Sequence, residues 1–507
     1  MKDNLRIMKH PLIPIERGDP INFYFNGSPI AAYEGETVAA ALYAAGIRIY
    51  SRSFKYHRPR GLFCMAGHCS NCLMRVDGVP NVRTCIEPVH SGMKVESQNA
   101  WPSLNFDLAA ITGYLDFLVQ PGFQYKRFIR FKSLYLIWER FLRRMAGIGK
   151  LPDAVHDSPP ERRQAEPEIV IIGGGVAGLT AALHAADAGS EVWLIEKENV
   201  LGGKLRYDTA VYEPAEGSTK QHGFSIAENL AKEIERRHGC RVLKEAAAFA
   251  WYDEEILAVS RPGEFWELKP RRAIVATGRY ENPMVFENND LPGIFAAGAL
   301  QRLMHGDWVR PGEKAVVITN NRLGYEMVEQ LRAAGVDIAG IVDQRDEAQI
   351  SACREAQQTR AAGFAVYAGH VVKAAVGRRK VKGLIAGPCD QTGKTNSGGQ
   401  IKIPCDVVCV VGPHTPANEL VFQRTSRGAY ILESQNQYTR RPKTSPFMQV
   451  DTDMFVAGAA GGSADLQRAL LEGKIAGLSA ALDLGHGDQE MKADRDAAAK
   501  ALEALNQ

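Results

Sequence analysis

Four of the nine cysteines in this chain fall within 22 residues. Cys64, Cys69 and Cys72 form C-x4-C-x2-C, and Cys85 follows after twelve residues. A 2Fe-2S cluster needs four thiolates converging on two irons, which a loop carrying three and a nearby strand carrying the fourth supply. Gly67 lies in the first gap and can take the positive φ that a loop wrapping a cluster demands. Structural zinc sites pair two short C-x2-4-C knuckles. Here one cysteine arrives alone after a hairpin, which favours iron–sulfur over zinc and over a set of free thiols. The other five cysteines are scattered, and Cys405 and Cys409 lie in the alternating run IPCDVVCVVG, as core residues do.

A second constellation is built on glycine. Gly173-x-Gly175-x-x-Gly178 follows the apolar run EIVII and opens LTAALHAADAG, with Ala177 inside the turn. The first glycine permits a tight turn, the second lets backbone approach a pyrophosphate, and the third lets helix and strand pack closely. Glu196 ends the next strand, eighteen residues after Gly178, where a carboxylate accepts from ribose hydroxyls and disfavours a 2′-phosphorylated cofactor. Lys197 follows directly, and Gly202-Gly203-Lys204 comes six residues beyond the acid. A later unit, VVITNNRLGYE, retains only Gly324 of the triplet, with Thr319 and Asn321 where glycines would stand and Asp343 ending the next strand. Side chains there hinder a pyrophosphate, so this unit is expected to keep the fold and bind nicotinamide weakly or not at all. No C-x2-C or C-x4-C follows the first unit, which excludes a redox-active disulfide. No residue is assigned a catalytic role: His57 and His68, beside the cysteine loop, read as loop or surface residues.

These residues need elements to hold them. INFYFNGSPIAAY reads as a hairpin at Asn26-Gly27, Thr37 to Ala45 as a short helix with Glu34 and Glu36 at its positive end, and CLMRVDGVPNVRT as a strand pair turning at Asp77-Gly78. Residues 1–99 therefore form a β-rich domain. Residues 100–165 interleave aromatics, from Trp101 to Phe141, with bases such as Lys126, Arg127 and Arg130. They read as a connector packing its aromatics on a neighbour, in preference to a membrane-surface or nucleic-acid contact. The segment closes in LPDAVHDSPPERRQ, a linker. Two strand–glycine turn–helix–strand units follow, the second inserted in the first: residues 166–300 with 425–487, and 301–424. Residues 488–507 form a charged, alanine-rich tail, expected as a surface helix without a catalytic role.

At 507 residues the chain has room for roughly three domains. Its 45% hydrophobic and 23% charged content excludes disordered and fibrous classes. Sixty-one basic against fifty-eight acidic residues leave +3, too balanced for a nucleic-acid binder. The start has no secretory signal and no run reaches about 18 apolar residues, so a cytoplasmic protein without a transmembrane segment is expected.

Several motifs resemble known families. INFYFNGSPI through TCIEP resembles a β-grasp 2Fe-2S ferredoxin domain, and its short gap before the fourth cysteine is similar to the first cluster domain of molybdenum hydroxylases. Gly202-Gly203-Lys204 resembles the second phosphate-side glycine pair of flavin enzymes. Thr277-Gly278 in ATG resembles the turn between the nucleotide domains of disulfide-reductase-like flavoproteins. MFVAGAAGG resembles their closing motif, in which an acid after the glycine holds the flavin ribityl chain; here Ala459 follows Gly458. The same pocket is thereby open to FAD held by backbone groups, to NAD, or to another adenine nucleotide. Together with RSFKYHRPRG and ATGRYENPMVFENNDLPGIFAAGAL, these motifs resemble the α subunit of heterotetrameric sarcosine oxidase and its relatives among opine and hydroxyproline dehydrogenases and hydrogen cyanide synthases.

That resemblance implies an α/β and α+β multidomain chain, with a β-grasp domain followed by two interleaved Rossmann-type domains. It implies a partner, a β-type FAD-containing amine oxidase or dehydrogenase subunit, with further small subunits as candidates. An FMN at the interface with a partner subunit is a further candidate cofactor beside the 2Fe-2S cluster and FAD or NAD. The chain departs from the sarcosine oxidase pattern by carrying the four cysteines and by stopping before a folate-binding domain, so folate chemistry is not expected. The expected role is an electron-transfer subunit of an amine dehydrogenase or oxidase acting on an N-substituted amino acid, opine or imino acid. Two alternatives stand beside it: a self-contained NAD(P)H-dependent FAD/2Fe-2S reductase, and a structural subunit holding a static nucleotide.

Overall fold

The computed structural model describes residues 5–505 apart from 114–121, 123–129, 148, 150–158, 215–216, 254, 391–392, 394–397, 425–429, 433–439 and 464. The connector residues Tyr114, Phe117, Phe123, Tyr125, Lys126, Arg127 and Phe128 lie outside them. The chain divides into two compact units: residues 1–155 with 281–413, and 156–280 with 414–507.

In the first unit, strands Pro20–Phe25 and Ser28–Tyr33 pair antiparallel across Asn26 and Gly27, whose φ values of 48° and 81° suit a type I′ turn. Leu73–Val76 and Val79–Arg83 turn the same way across Asp77 (45°) and Gly78 (86°). With Lys94–Glu96 they complete a five-stranded mixed sheet. The helix Val38–Ala44, all seven residues buried, is capped by Thr37, whose hydroxyl accepts from the Ala40 N–H at 3.2 Å. Glu36 does not serve the helix end. Its carboxylate takes Arg6 (2.8 Å) and Arg17 (3.2 Å), because two guanidinium charges outweigh a partial helix-end charge.

The same unit holds a five-stranded parallel sheet in the order Ile294–Ala296, Val407–Val410, Lys314–Thr319, Asp337–Asp343, Val366–Ala368. One apolar core runs through both sheets, taking in Phe23, Leu42 and Met74 with Phe295, Leu300 and Tyr325. Polar ties reinforce it. The backbone N–H and hydroxyl of Thr37 both donate to Asp307 (3.2 and 3.1 Å), and the Tyr43 hydroxyl donates to the Pro311 carbonyl at 2.5 Å.

The second unit is built on a six-stranded sheet in the order Cys240–Leu243, Val192–Ile195, Ile169–Ile172, Arg272–Val275, Met454–Val456, Gln449–Asp451, parallel except at the last strand. Its central strands are wholly buried, which is why they read as unbroken apolar runs, IVII and VWLI. The helices Val176–Asp187 and Leu466–Asp483 pack against each other. A Cβ at Gly473 would lie 2.4 Å from the Ala177 carbonyl oxygen, and one at Gly477 would lie 2.3 Å from that of Ala181, so glycine sets this approach.

The boundaries differ from the sequence reading in three places. Residues 281–300 go with the inserted fold, because Ile294–Ala296 pairs with Val407–Val410. The helix Glu419–Arg424 goes with the second unit, where Leu420 and Val421 enter the core. The end of the supposed linker, Glu161–Ala165, is a strand beside Glu264–Leu268. The tail is a helix as read, Gln489–Ala504, and buries Ala498 and Leu502. No helix among the described residues is long and apolar enough to cross a membrane.

Candidate functional site

The structure brings the four clustered cysteines together. Cys64, Cys72 and Cys85 are buried and Cys69 is half-buried. The loop 64–72 reverses direction through Met65 (φ 48°) and Gly67 (φ 73°), and a side chain at Gly67 would meet Ile86 at 3.0 Å. The Cys69 N–H donates to the Cys64 sulfur at 3.4 Å. Cys85 arrives from the end of strand Val79–Arg83, and Thr84 ties that end back by donating its hydroxyl to the Cys72 carbonyl at 2.8 Å. The four thiols influence one another electrostatically, Cys64 with Cys69 and Cys85, and Cys72 with Cys85. This mutual influence pulls the Cys64 and Cys72 thiols down and pushes Cys69 and Cys85 up, burial adding to the rise. Four thiols, three from one loop and one from a neighbouring strand end, are the donor set that two bridged irons take. Among the described residues no group of three or more His, Cys, Asp or Glu side chains is already arranged as a metal cage. Cys405 and Cys409 are core thiols, that of Cys405 pushed up to about 12 by burial.

His57 and His68 separate. His68 is exposed, whereas His57 is buried and bonds through Nδ1 to Asp107 at 2.7 Å, fastening the start of the connector. Of the loop or surface reading, the loop part describes His57: it is a loop residue, buried against a carboxylate fifty positions away.

The glycine turn of the second unit fits a pyrophosphate. A Cβ at Gly173 (φ 109°) would lie 2.4 Å from the Ala276 carbonyl oxygen, and one at Gly178 would lie 1.9 Å from that of Gly173. A Cβ at Gly175 would meet nothing within 4 Å, so this residue opens onto free space at the start of the helix Val176–Asp187. Gly202 donates its N–H to the Gly174 carbonyl at 2.8 Å, and Gly203 stands over Gly175. Glu196 reaches the same turn. It accepts from the Gly174 N–H at 2.7 Å and the Glu198 N–H at 2.9 Å, and burial raises its carboxyl. Lys197 and Lys204 are exposed beside it. Thr277 and Gly278 are engaged with Ala417: the hydroxyl donates to its carbonyl, and its N–H donates to the Gly278 carbonyl at 2.9 Å.

Gly458 (φ 70°) closes the turn against Ala177, and Ala459 presents no carboxylate. Sequence reasoning missed the acid that is present. Glu472 accepts from the Gly458 N–H at 2.7 Å and the Ser463 hydroxyl at 2.6 Å.

The corresponding turn of the inserted fold is filled. A Cβ at Gly324 would lie 2.3 Å from Thr319, whose hydroxyl donates to the Asn321 carbonyl at 2.9 Å. Asp343 is fully buried and held by Arg345 and the Tyr325 hydroxyl, each at 2.7 Å, which turns it away from any ribose.

Comparison with known proteins agrees with this layout. Residues 18–100 match a 2Fe-2S iron-sulfur cluster binding domain, and residues 167–469 match the pyridine nucleotide-disulphide oxidoreductase family. The chain is 35% identical over 367 residues to the sarcosine oxidase subunit alpha of Rhizobium meliloti (strain 1021), covering 69% of this chain and 37% of that protein. Its N-terminal part is 38% identical over 91 residues to the hydrogen cyanide synthase subunit HcnA of Pseudomonas aeruginosa, covering 18% of this chain and 86% of that one. The solved L-proline dehydrogenase from P. horikoshii shares the fold with a TM-score of 0.68 at 21% identity, covering 98% of this chain and 79% of that one. This chain spans little more than a third of the sarcosine oxidase alpha subunit it matches. With more than half its length matched, the chain belongs to the pyridine nucleotide-disulphide oxidoreductase family, preceded by a 2Fe-2S cluster binding domain, and is a homologue of sarcosine oxidase alpha subunits.

Proposed function

We propose that this chain is the electron-transfer subunit of a multi-subunit flavin and iron–sulfur oxidoreductase acting on the CH–NH group of an N-substituted amino acid, opine or imino acid. The observation that carries the reading is the set of four clustered cysteines, three of them buried and tied by the Cys69 N–H to Cys64 and by Thr84 to Cys72, in a chain that also holds an open glycine turn. Cys64, Cys69, Cys72 and Cys85 would hold a 2Fe-2S cluster, which supplies one-electron transfer when bound. Gly173, Gly175, Ala177 and Gly178 would receive the pyrophosphate of FAD or NAD, with Gly202, Gly203 and Gly458 closing the cradle and Glu196 beside the ribose. Substrate oxidation would occur on a β-type FAD subunit, with an FMN at the shared interface as a further carrier. The oxidase subunit and the synthase subunit that this chain resembles support this assembly.

The closed turn at Thr319 and the engaged Asp343 disfavour a self-contained nicotinamide reductase. Ala459 favours a second reading, in which the first pocket keeps a static adenine nucleotide. The test is amine-dependent dye reduction by the complex assembled with wild-type or Cys72→Ser chain. Loss of turnover with the cluster supports electron transfer through this chain, and full turnover without the cluster overturns it.

A further inference from the structure

The flavin-type closing motif places an acid directly after its glycine; this chain has Ala459 there and a buried carboxylate reaching the same turn from another element. Glu472 lies on the helix Leu466–Asp483, fourteen residues beyond Gly458. Its two oxygens take the Gly458 N–H and the Ser463 hydroxyl, the two ends of the turn. Gly458 touches Ala177, two residues after Gly175 and its open face. The adjacent Gly473 presses on the Ala177 carbonyl, so Glu472 and its neighbour hold the turn and the pyrophosphate-facing helix start as one piece.

We propose that Glu472 is a positioning residue of the nucleotide pocket, fixing the turn 458–463 against the start of the helix Val176–Asp187 and taking up a proton when an anionic dinucleotide binds. The proposal rests on reading the glycine turn as a nucleotide site. Both protonation states keep the geometry. The ionised carboxylate accepts two hydrogen bonds, while the neutral carboxyl still accepts from Gly458 and can donate its proton to the Ser463 oxygen. What changes is charge beside a phosphate site.

Among the described residues no ion pair to this carboxylate forms, although the charge of Arg468 acts on it. On its own helix Arg468 is paired with Asp465 (3.2 Å), and Lys474 with Asp494 of the helix Gln489–Ala504 (2.7 Å). On that second helix Arg495 pairs with Asp496. From the sheet, Arg272 pairs with Asp483 (2.5 Å). The helix Val176–Asp187 carries His184 and Asp187 only toward its far end. Strands flanking the turn bring His414 and Arg441, the latter lying over Gly462. Burial keeps His414 neutral, down to about 3, with Arg279 and Lys204 adding to the effect. Burial likewise pushes the Glu472 carboxyl up to about 7, against its two hydrogen bonds and the charge of Arg468.

The experiment is calorimetric titration of the full-length chain, freed of bound nucleotide, with NAD and with FAD, whose diphosphates do not titrate between pH 6 and 8. Each is run in two buffers of different ionisation heat. Wild type should take up a proton near neutrality, and its affinity should fall about tenfold from pH 6 to pH 8. Glu472→Gln, which keeps both hydrogen bonds, should bind as wild type does at pH 6, without proton uptake and without that fall. Glu472→Ala, checked for folding by thermal melting, should bind more weakly at both pH values. Binding with the same pH profile in wild type and Glu472→Gln overturns this proposal and leaves the nucleotide reading standing. Binding of neither probe to wild type overturns both.

Discussion

Arg58 and Asp290 meet as a bidentate pair across 232 positions, Nη2 to Oδ1 at 2.7 Å and Nε to Oδ2 at 2.8 Å, with Arg60 adding a longer contact at 3.5 Å. The pair joins the hairpin Ser51–Arg60 of the cysteine-bearing domain to the segment leading into strand Ile294–Ala296. A planar guanidinium fork fixes direction as well as charge. The inserted fold, whose own nucleotide turn is filled, thus serves as the base on which the cysteine loop is mounted.

Arg58→Lys should keep the charge and lose the fork. Because Arg58 is well over a third exposed, solvent screening limits the effect to about 1 kcal/mol. Thermal melting of the full chain should show a shift of a few degrees for Arg58→Lys and more for Arg58→Ala. Equal melting of all three would remove the pair from the account.

Gly175→Ala and Gly178→Ala should fail differently. At Gly175 the new methyl enters free space where a pyrophosphate would lie, so the fold should survive while NAD or FAD affinity drops by about tenfold or more. At Gly178 it enters the Gly173 carbonyl, so the fold should lose on the order of 2–3 kcal/mol. Urea melts paired with nucleotide titration separate the two outcomes.

Glu472 also predicts a pH signature in the nucleotide-free chain. Its folded value of about 7 exceeds the ordinary carboxylate range, so its contribution is most favourable at low pH and is lost as pH rises toward 7. Between pH 5 and pH 8 wild type should lose on the order of 2–3 kcal/mol relative to Glu472→Gln. Parallel stability curves for the two proteins would contradict the burial that sets this value.

Asp343→Asn should destabilise the inserted fold by about 2–4 kcal/mol, since Arg345 loses its buried counter-charge, and should leave NAD affinity unchanged. An Asp343→Asn chain with weakened NAD binding would mean that this fold takes a nucleotide after all.

How far the sequence reveals this structure depends on the distance over which each feature is encoded. Asn26-Gly27, Asp77-Gly78 and Gly173 to Gly178 are local. Their backbone angles or close approaches demand glycine or a residue tolerant of positive φ, and each is recognisable within a few residues. The four cysteines are similar, because their ligand spacing is itself the signal. Glu472 and Asp107 are legible only in three dimensions: one returns to Gly458 by packing of two helices through Gly473 and Gly477, and the other reaches His57 from the connector. Glu161–Ala165 is a strand of polar residues at a sheet edge, where solvent suppresses the apolar alternation that marks a strand. The boundary near residue 280 was displaced because Ile294–Ala296 continues the apolar pattern of either nucleotide fold, and only its pairing with Val407–Val410 decides between them.

The most direct test of the central claim is iron and acid-labile sulfide analysis of the full-length chain, with the visible spectrum before and after dithionite. The account predicts about two irons and two sulfides per chain, a visible absorption that bleaches on reduction, and loss of both in Cys72→Ser but not in Cys409→Ala. A chain binding one zinc in place of iron, or one whose Cys72→Ser variant keeps its full iron and spectrum, would contradict it.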